Sequence, residues 1–213
     1  MRGYADYLEA CYWNPGLHNG HRLLGDVLST LPGVKQQDIH WLVRLFENPR
    51  SPLRFPGQIS LARHDAVHVL LGRGLSNQDE AFVIGFTMGA AKACRRWHCG
   101  LFNWVARWLY PASYRFSVDD SRVFALGVGA GFKQPVEDIH LVGLEDMMGE
   151  SVDSIRRRLG INVHDLHAIY RHERAYIPHT SESKRLDIDY GNIDPSDIVI
   201  PNGKSIKRKR RRF

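Results

Sequence analysis

His64 and His68 stand four residues apart in the run RHDAVHVLLGRGLSNQDEAFVIGF (63–86), and Glu80 follows after eleven intervening residues. On a helix, side chains at i and i+4 share a face, so two imidazoles at this spacing can grip one cation. Zinc enzymes with an HExxH motif use that geometry; here Asp65 takes the second position. Asp65 is three residues from His68, near enough to bind the same ion or to orient a ligand histidine. A turn at Gly72–Gly74 followed by a new helix would carry Glu80 back toward His68. His64, Asp65, His68 and Glu80 are therefore the candidate metal ligands. Nitrogen and carboxylate donors suit Zn²⁺ first, with Fe²⁺, Mn²⁺ or Mg²⁺ as alternatives, and leave a position for water or substrate. Glu80 precedes AFVIGF, and a carboxylate facing such apolar residues is costly unless paired or metal-bound.

Helices must hold these groups, and apolar residues recur at helical spacing up to about residue 176. QQDIHWLVRLF (36–46) puts Ile39, Leu42, Val43 and Phe46 on one face. A helix is expected over about 58–71, stopped by GRG (72–74), where glycine accepts a left-handed conformation. Ser76 and Asp79 make a capping box, so the next helix should start near Asn77 and run to about Trp97. Inside it Gly85 and Gly89 have the GxxxG spacing of close helix contact. Further helices are expected at 4–13, 21–31 and 101–110, after a second capping box at Ser117 and Asp120, after Glu150, and after Asn162. From His179 onward Ser, Asp, Pro and Gly dominate; DIVI (197–200) is the one strand-like run. The expected fold is all-α, with a helical domain at 1–178 and an extended or disordered tail at 179–213.

The chain of 213 residues carries a formal charge of +6, and the segment 204–212 alone holds seven Lys or Arg and no acid, so the remainder is near −1. The basic character belongs to a tail. Such a block is normally solvated; anionic lipid or nucleic acid could meet it, nucleic acid being the less expected. Cys11, Cys94 and Cys99 are three cysteines without a CxxC pair, expected as free thiols in a reducing compartment. The start MRGYADYLEA lacks the apolar stretch of a signal peptide, and AFVIGFTMGAA (81–91) is far short of a bilayer span. A cytoplasmic protein is expected, touching a membrane at most peripherally.

The pattern His64-Asp65-x-x-His68-x(11)-Glu80 resembles the zinc motif of the coenzyme Q (ubiquinone) biosynthesis protein 4 family. The resemblance covers about 63–90. It implies an all-helical, often dimeric fold on a membrane face, with His64, Asp65, His68 and Glu80 as metal ligands. It also implies a hydrophobic channel for an isoprenoid quinone precursor and removal of the C1 carboxylate from its aromatic headgroup, the work of a lyase. Phe82, Phe86 and Met88, with Trp104 and Trp108 from the 101–110 stretch, are the candidates to line that channel. Two departures stand out: the motif starts as early as residue 64, and Asp79 replaces the usual Gly before the Glu.

Two other readings compete. An HD-type metal-dependent phosphohydrolase would use His40, His64-Asp65 and Asp119 or Asp120, but leaves Glu80 unexplained. A non-catalytic module would use the same helices to hold a lipid for partner enzymes. The aromatic stripe of 101–110, with Arg95, Arg96 and Arg107 nearby, fits a core face or a helix at lipid-headgroup level, and a core face is preferred. His164, His167 and His172 lack i, i+4 spacing and are read as structural, and Arg156, Arg157 and Arg158 as a solvated face.

Overall fold

The computed structural model describes residues 13–32, 57, 59–110, 112–134 and 138–186. The helix expected at 4–13, apart from its last residue Trp13, the helix expected at 36–46, the DIVI run and the basic run at 204–212 lie outside them. Among the described residues all regular structure is helical. The helices are α1 (Leu24–Leu28), α2 (Leu61–Leu71), α3 (Asn77–Ala90), α4 (Arg96–Trp108), α5 (Val118–Lys133), α6 (Val152–Leu159), α7 (Val163–Tyr176) and α8 (Ser181–Arg185). The all-α class expected from the sequence is what the chain adopts.

Helix α3 is the centre of the molecule. Every one of its residues is buried except Asn77 and Glu80. A helix apolar all round must be covered all round. One side of α3 joins α2, α5, α6 and α7 in the main core around Val67, Leu70, Phe82, Phe86 and Tyr170. Its other side, through Ala81, Ile84 and Met88, meets Phe102 and Val105 of α4 and Phe124 of α5.

The contact between α3 and α5 depends on four glycines. A Cβ at Gly85 would lie 2.4 Å from the Phe124 carbonyl oxygen, and one at Gly89 would lie 2.4 Å from that of Val128. Reciprocally, a Cβ at Gly127 or Gly131 would lie 2.3 Å from the carbonyl oxygens of Phe82 or Phe86. Contact positions rise together along both helices, so α3 and α5 run parallel with their backbones touching. The GxxxG expectation at Gly85 and Gly89 holds, and Gly127 and Gly131 supply the matching half.

Three expectations need correcting. Helix α3 ends at Ala90 rather than near Trp97, because Asp138 ends it from outside. The Asp138 N–H donates to the Ala90 carbonyl at 3.0 Å, and its carboxylate accepts the Lys92 N–H at 2.9 Å. Helix α4 then begins at Arg96, with His98 Nδ1 accepting the Arg95 N–H at 2.9 Å. The folded body also continues past 178: α8 buries Ser183 and places Arg185 on Asp79, and Leu186 just after it is buried too. Finally, Arg156 is no solvated cation. It is 1% exposed and donates to the carbonyls of Leu70 at 2.8 Å and Leu17 at 2.9 Å.

Candidate metal centre

Helix α2 carries His64 and His68 one turn apart, and their ring centroids are 4.6 Å from each other. The helix is stopped by Gly72, which adopts φ 65° and ψ 31°. A side chain there would also collide with the backbone of Gly16, at 2.6 Å from its carbonyl carbon. After the loop, the Ser76–Asp79 capping box starts α3, and its first turn brings Glu80 back to the two histidines.

The three groups face one another closely. Glu80 Oε2 lies 3.3 Å from His64 Nε2, and Glu80 Oε1 lies 3.3 Å from His68 Nε2. One ligand atom from each of the three falls within 4.8 Å of the others. Donors bound to zinc at about 2.0–2.1 Å in a tetrahedron stand about 3.3 Å apart, so the spacing fits one small cation.

The protonation pattern leads to the same conclusion. His68 Nδ1 meets the Gly74 carbonyl oxygen at 2.7 Å. A carbonyl only accepts, so Nδ1 carries a hydrogen and donates it. The opposite nitrogen, Nε2, is fully buried and makes no hydrogen bond, although a carboxylate oxygen faces it. Two lone pairs opposed in a dry site repel unless a positive charge, proton or metal, stands between them. At His64, burial works to lower the pKa, but Glu80 and then Asp65 outweigh it and hold the ring up to about 10. At Glu80 burial works upward, yet His68 and His64 keep the carboxylate well below its usual range. The cluster is built to hold positive charge.

Asp65 does not enter the ligand cluster. Its carboxylate lies 4.0 Å from His64 Nδ1, whereas Glu80 faces the ring at Nε2. From there Asp65 can orient the ring, as carboxylates behind metal-bound histidines do.

A buried ionic network sets the α2–α3 loop that supplies the Gly74 carbonyl. Arg73 is fully buried between the rings of Phe82 and Tyr170, 4.0 and 4.3 Å from their centroids. Its guanidinium pairs with Glu173 of α7, which also accepts from Gln78 at 2.8 Å. Arg185 of α8 holds Asp79, the same residue that caps α3. Nothing local in the sequence marks Arg73 or Glu173; they lie a hundred residues apart.

The other candidates fall elsewhere. Phe82 and Phe86 are fully buried in the main core, whereas Trp104 and Trp108 face solvent at 53% and 60% exposure. Only Met88 of that group reaches the site, where with Gly57, Ile59, His64, Ile84 and Thr87 it lines an apolar recess of about 20 Å³. That volume admits a water-sized group. Asp119 is taken by His179 at 2.7 Å and Arg122 at 2.9 Å, and Asp120 caps α5 through Ser117. Neither joins the histidines, and His40 lies outside the described residues, so the phosphohydrolase constellation is not assembled among them. Of the other histidines, His167 meets His18 at a tilt of 47° with centroids 5.5 Å apart, and His172 stacks on Tyr176. No family model, no curated protein and no solved structure matches the chain.

Proposed function

We propose that the chain is a zinc-dependent protein that binds an isoprenoid quinone-precursor lipid by the carboxylate or phenolate oxygen of its aromatic headgroup. The observation that carries the metal is the convergence of His64, His68 and Glu80 around one point, with His68 Nε2 buried, without a hydrogen bond and faced by a Glu80 oxygen at 3.3 Å. The headgroup and tail rest on the pattern His-Asp-x-x-His-x(11)-Glu, which resembles that of the quinone-biosynthesis family. His64, His68 and Glu80 would hold a divalent cation, which would supply a Lewis acid to polarise a substrate oxygen.

The chain's own residues prepare that site. The Gly74 carbonyl holds the proton of His68 on Nδ1 and so presents Nε2 as a donor. Asp65 faces the Nδ1 side of His64 at 4.0 Å and steadies the ring. With the exposure of His64 and Glu80 limited to 16% and 23% of their side chains, charge at the site is screened little by water. The reaction proposed there is decarboxylation of the headgroup: the bond from C1 to its carboxylate breaks, CO2 leaves, the electron pair stays on C1, and a proton from water takes its place.

Metal analysis of the purified protein beside a His64→Ala, His68→Ala double variant, with organic extraction of bound lipid, tests this reading. Stoichiometric zinc that the variant lacks, together with a co-purifying isoprenoid, is expected. Equal metal in both proteins would end the metal assignment. Metal without any extractable isoprenoid, and with no uptake of an added prenylated hydroxybenzoate, would end the lipid assignment.

A further inference from the structure

Helix α4 turns an aromatic face outward. Trp97, Leu101, Trp104 and Trp108 are 63%, 37%, 53% and 60% exposed, and Leu109 just beyond the helix is 62% exposed. Their spacing of four, three and four residues keeps the first four on one side, opposite the buried Phe102, Val105 and Ala106. Large apolar patches of this kind on a folded surface mark a place of contact.

The charge around the face identifies the partner. Lys92, Arg95, Arg96 and Arg115 are exposed and Arg107 is half-buried, while no Asp or Glu occurs anywhere from 81 to 118. The Arg107 guanidinium lies 5.5 Å from the Trp108 ring centroid, and the His98 ring lies against Trp97 with centroids 3.7 Å apart and a tilt of 32°. A second copy of the same face would set these cationic rims against each other. An acidic bilayer surface would neutralise them while taking the indoles at headgroup depth, where Trp is favoured. At 13 residues α4 is about 20 Å long, too short to cross a bilayer core of about 30 Å. No described helix is long and apolar enough to cross a membrane. A helix with these properties lies in the plane of the surface.

We propose that α4 is the element by which this protein docks on an anionic lipid bilayer, with Trp97, Trp104 and Trp108 at the headgroup boundary and the flanking arginines on lipid phosphates and carboxylates. This rests on α4 alone and stands or falls separately from the metal centre.

Co-sedimentation of the full chain with phosphatidylserine–phosphatidylcholine vesicles, against phosphatidylcholine alone, provides the test. A Trp104→Glu, Trp108→Glu variant reports on the face, and a variant with the cations of 204–212 changed to Gln reports on the tail. Far-UV circular dichroism, melting temperature and metal content serve as controls for folding. Partition onto anionic vesicles should fall about tenfold or more in the face variant. The tail variant should keep both anionic-vesicle binding and quenching of tryptophan emission by brominated acyl chains. Unchanged binding by the face variant would overturn the proposal. So would loss of all binding in the tail variant, absence of binding by the parent, or a parent dimer that the face variant splits in the absence of lipid.

Discussion

His68 is oriented by the Gly74 carbonyl, His64 by Asp65, and Glu80 closes the cluster with one oxygen toward each ring. The three carboxylate and imidazole roles are separable by mutation. Glu80→Gln removes a ligand charge and should abolish stoichiometric metal binding. Asp65→Asn removes only an orienting partner and should weaken affinity about tenfold. Titration against a chelating dye distinguishes them, and an equal loss in both would make Asp65 a ligand. Acidity gives a second check. His64 is raised from 6.5 to about 10 by Glu80 and Asp65 against the effect of burial, so in the metal-free chain its charged pairing stabilises the fold fully below pH 6.5. That contribution is lost as pH climbs through about 10. A cation must displace the proton, so affinity should rise about tenfold per pH unit up to that value. Calorimetry in buffers of different ionisation enthalpy should therefore show proton release; binding without it would remove His64 from the ligand set.

Helices α3 and α5 touch along backbone that cannot yield. A methyl at Gly127 would sit 2.3 Å from the Phe82 carbonyl oxygen, and both elements are held by buried neighbours on their far sides. Gly127→Ala should cost about 3 kcal/mol or more in chemical denaturation, at the upper end of overpacking effects. Gly129, two residues on, faces open space with ordinary helical backbone. Gly129→Ala should therefore stabilise by about 0.5–1 kcal/mol through helix propensity. If both substitutions had the same sign, the close approach would not be what holds these helices together. The GxxxG at Gly85 and Gly89 was legible as a contact because spacing is a local property. That Gly127 and Gly131 answer it depends on α5 lying parallel to α3, which no local pattern in either helix states.

The whole molecule is tied across its length by Arg73 and Glu173, which join the α2–α3 loop to α7 in a fully buried pair. Glu173→Ala leaves the guanidinium between Phe82 and Tyr170 with only the Asp79 carboxylate, 3.7 Å away, and should destabilise by about 3 kcal/mol. Replacing both partners, as Arg73→Met with Glu173→Leu, should recover much of that loss, because an apolar pair of similar volume avoids the desolvation cost. Urea melts of the two variants compare them directly; a double variant no better than the single would show that the loss is not one of stranded charge. The loop that Arg73 anchors also holds Gly74 against His68, so Glu173→Ala should weaken metal binding as well as stability.

Several features needed only neighbouring residues: the i, i+4 histidines, the Ser76–Asp79 and Ser117–Asp120 caps, the Gly72 stop and the all-helical class. Each rests on contacts within one or two turns, so residue type and spacing determine it. Helix ends set by distant partners were hidden, as when Asp138 cuts α3 at Ala90. The destination of each apolar face was hidden too. Phe82 and Trp104 share the same aromatic character, yet one fills the core and the other faces solvent, because burial is decided by which helices arrive from elsewhere in the chain. Likewise Arg156 and Arg158 stand two residues apart with one chemistry; only the approach of the Leu17 and Leu70 carbonyls makes the first a buried brace.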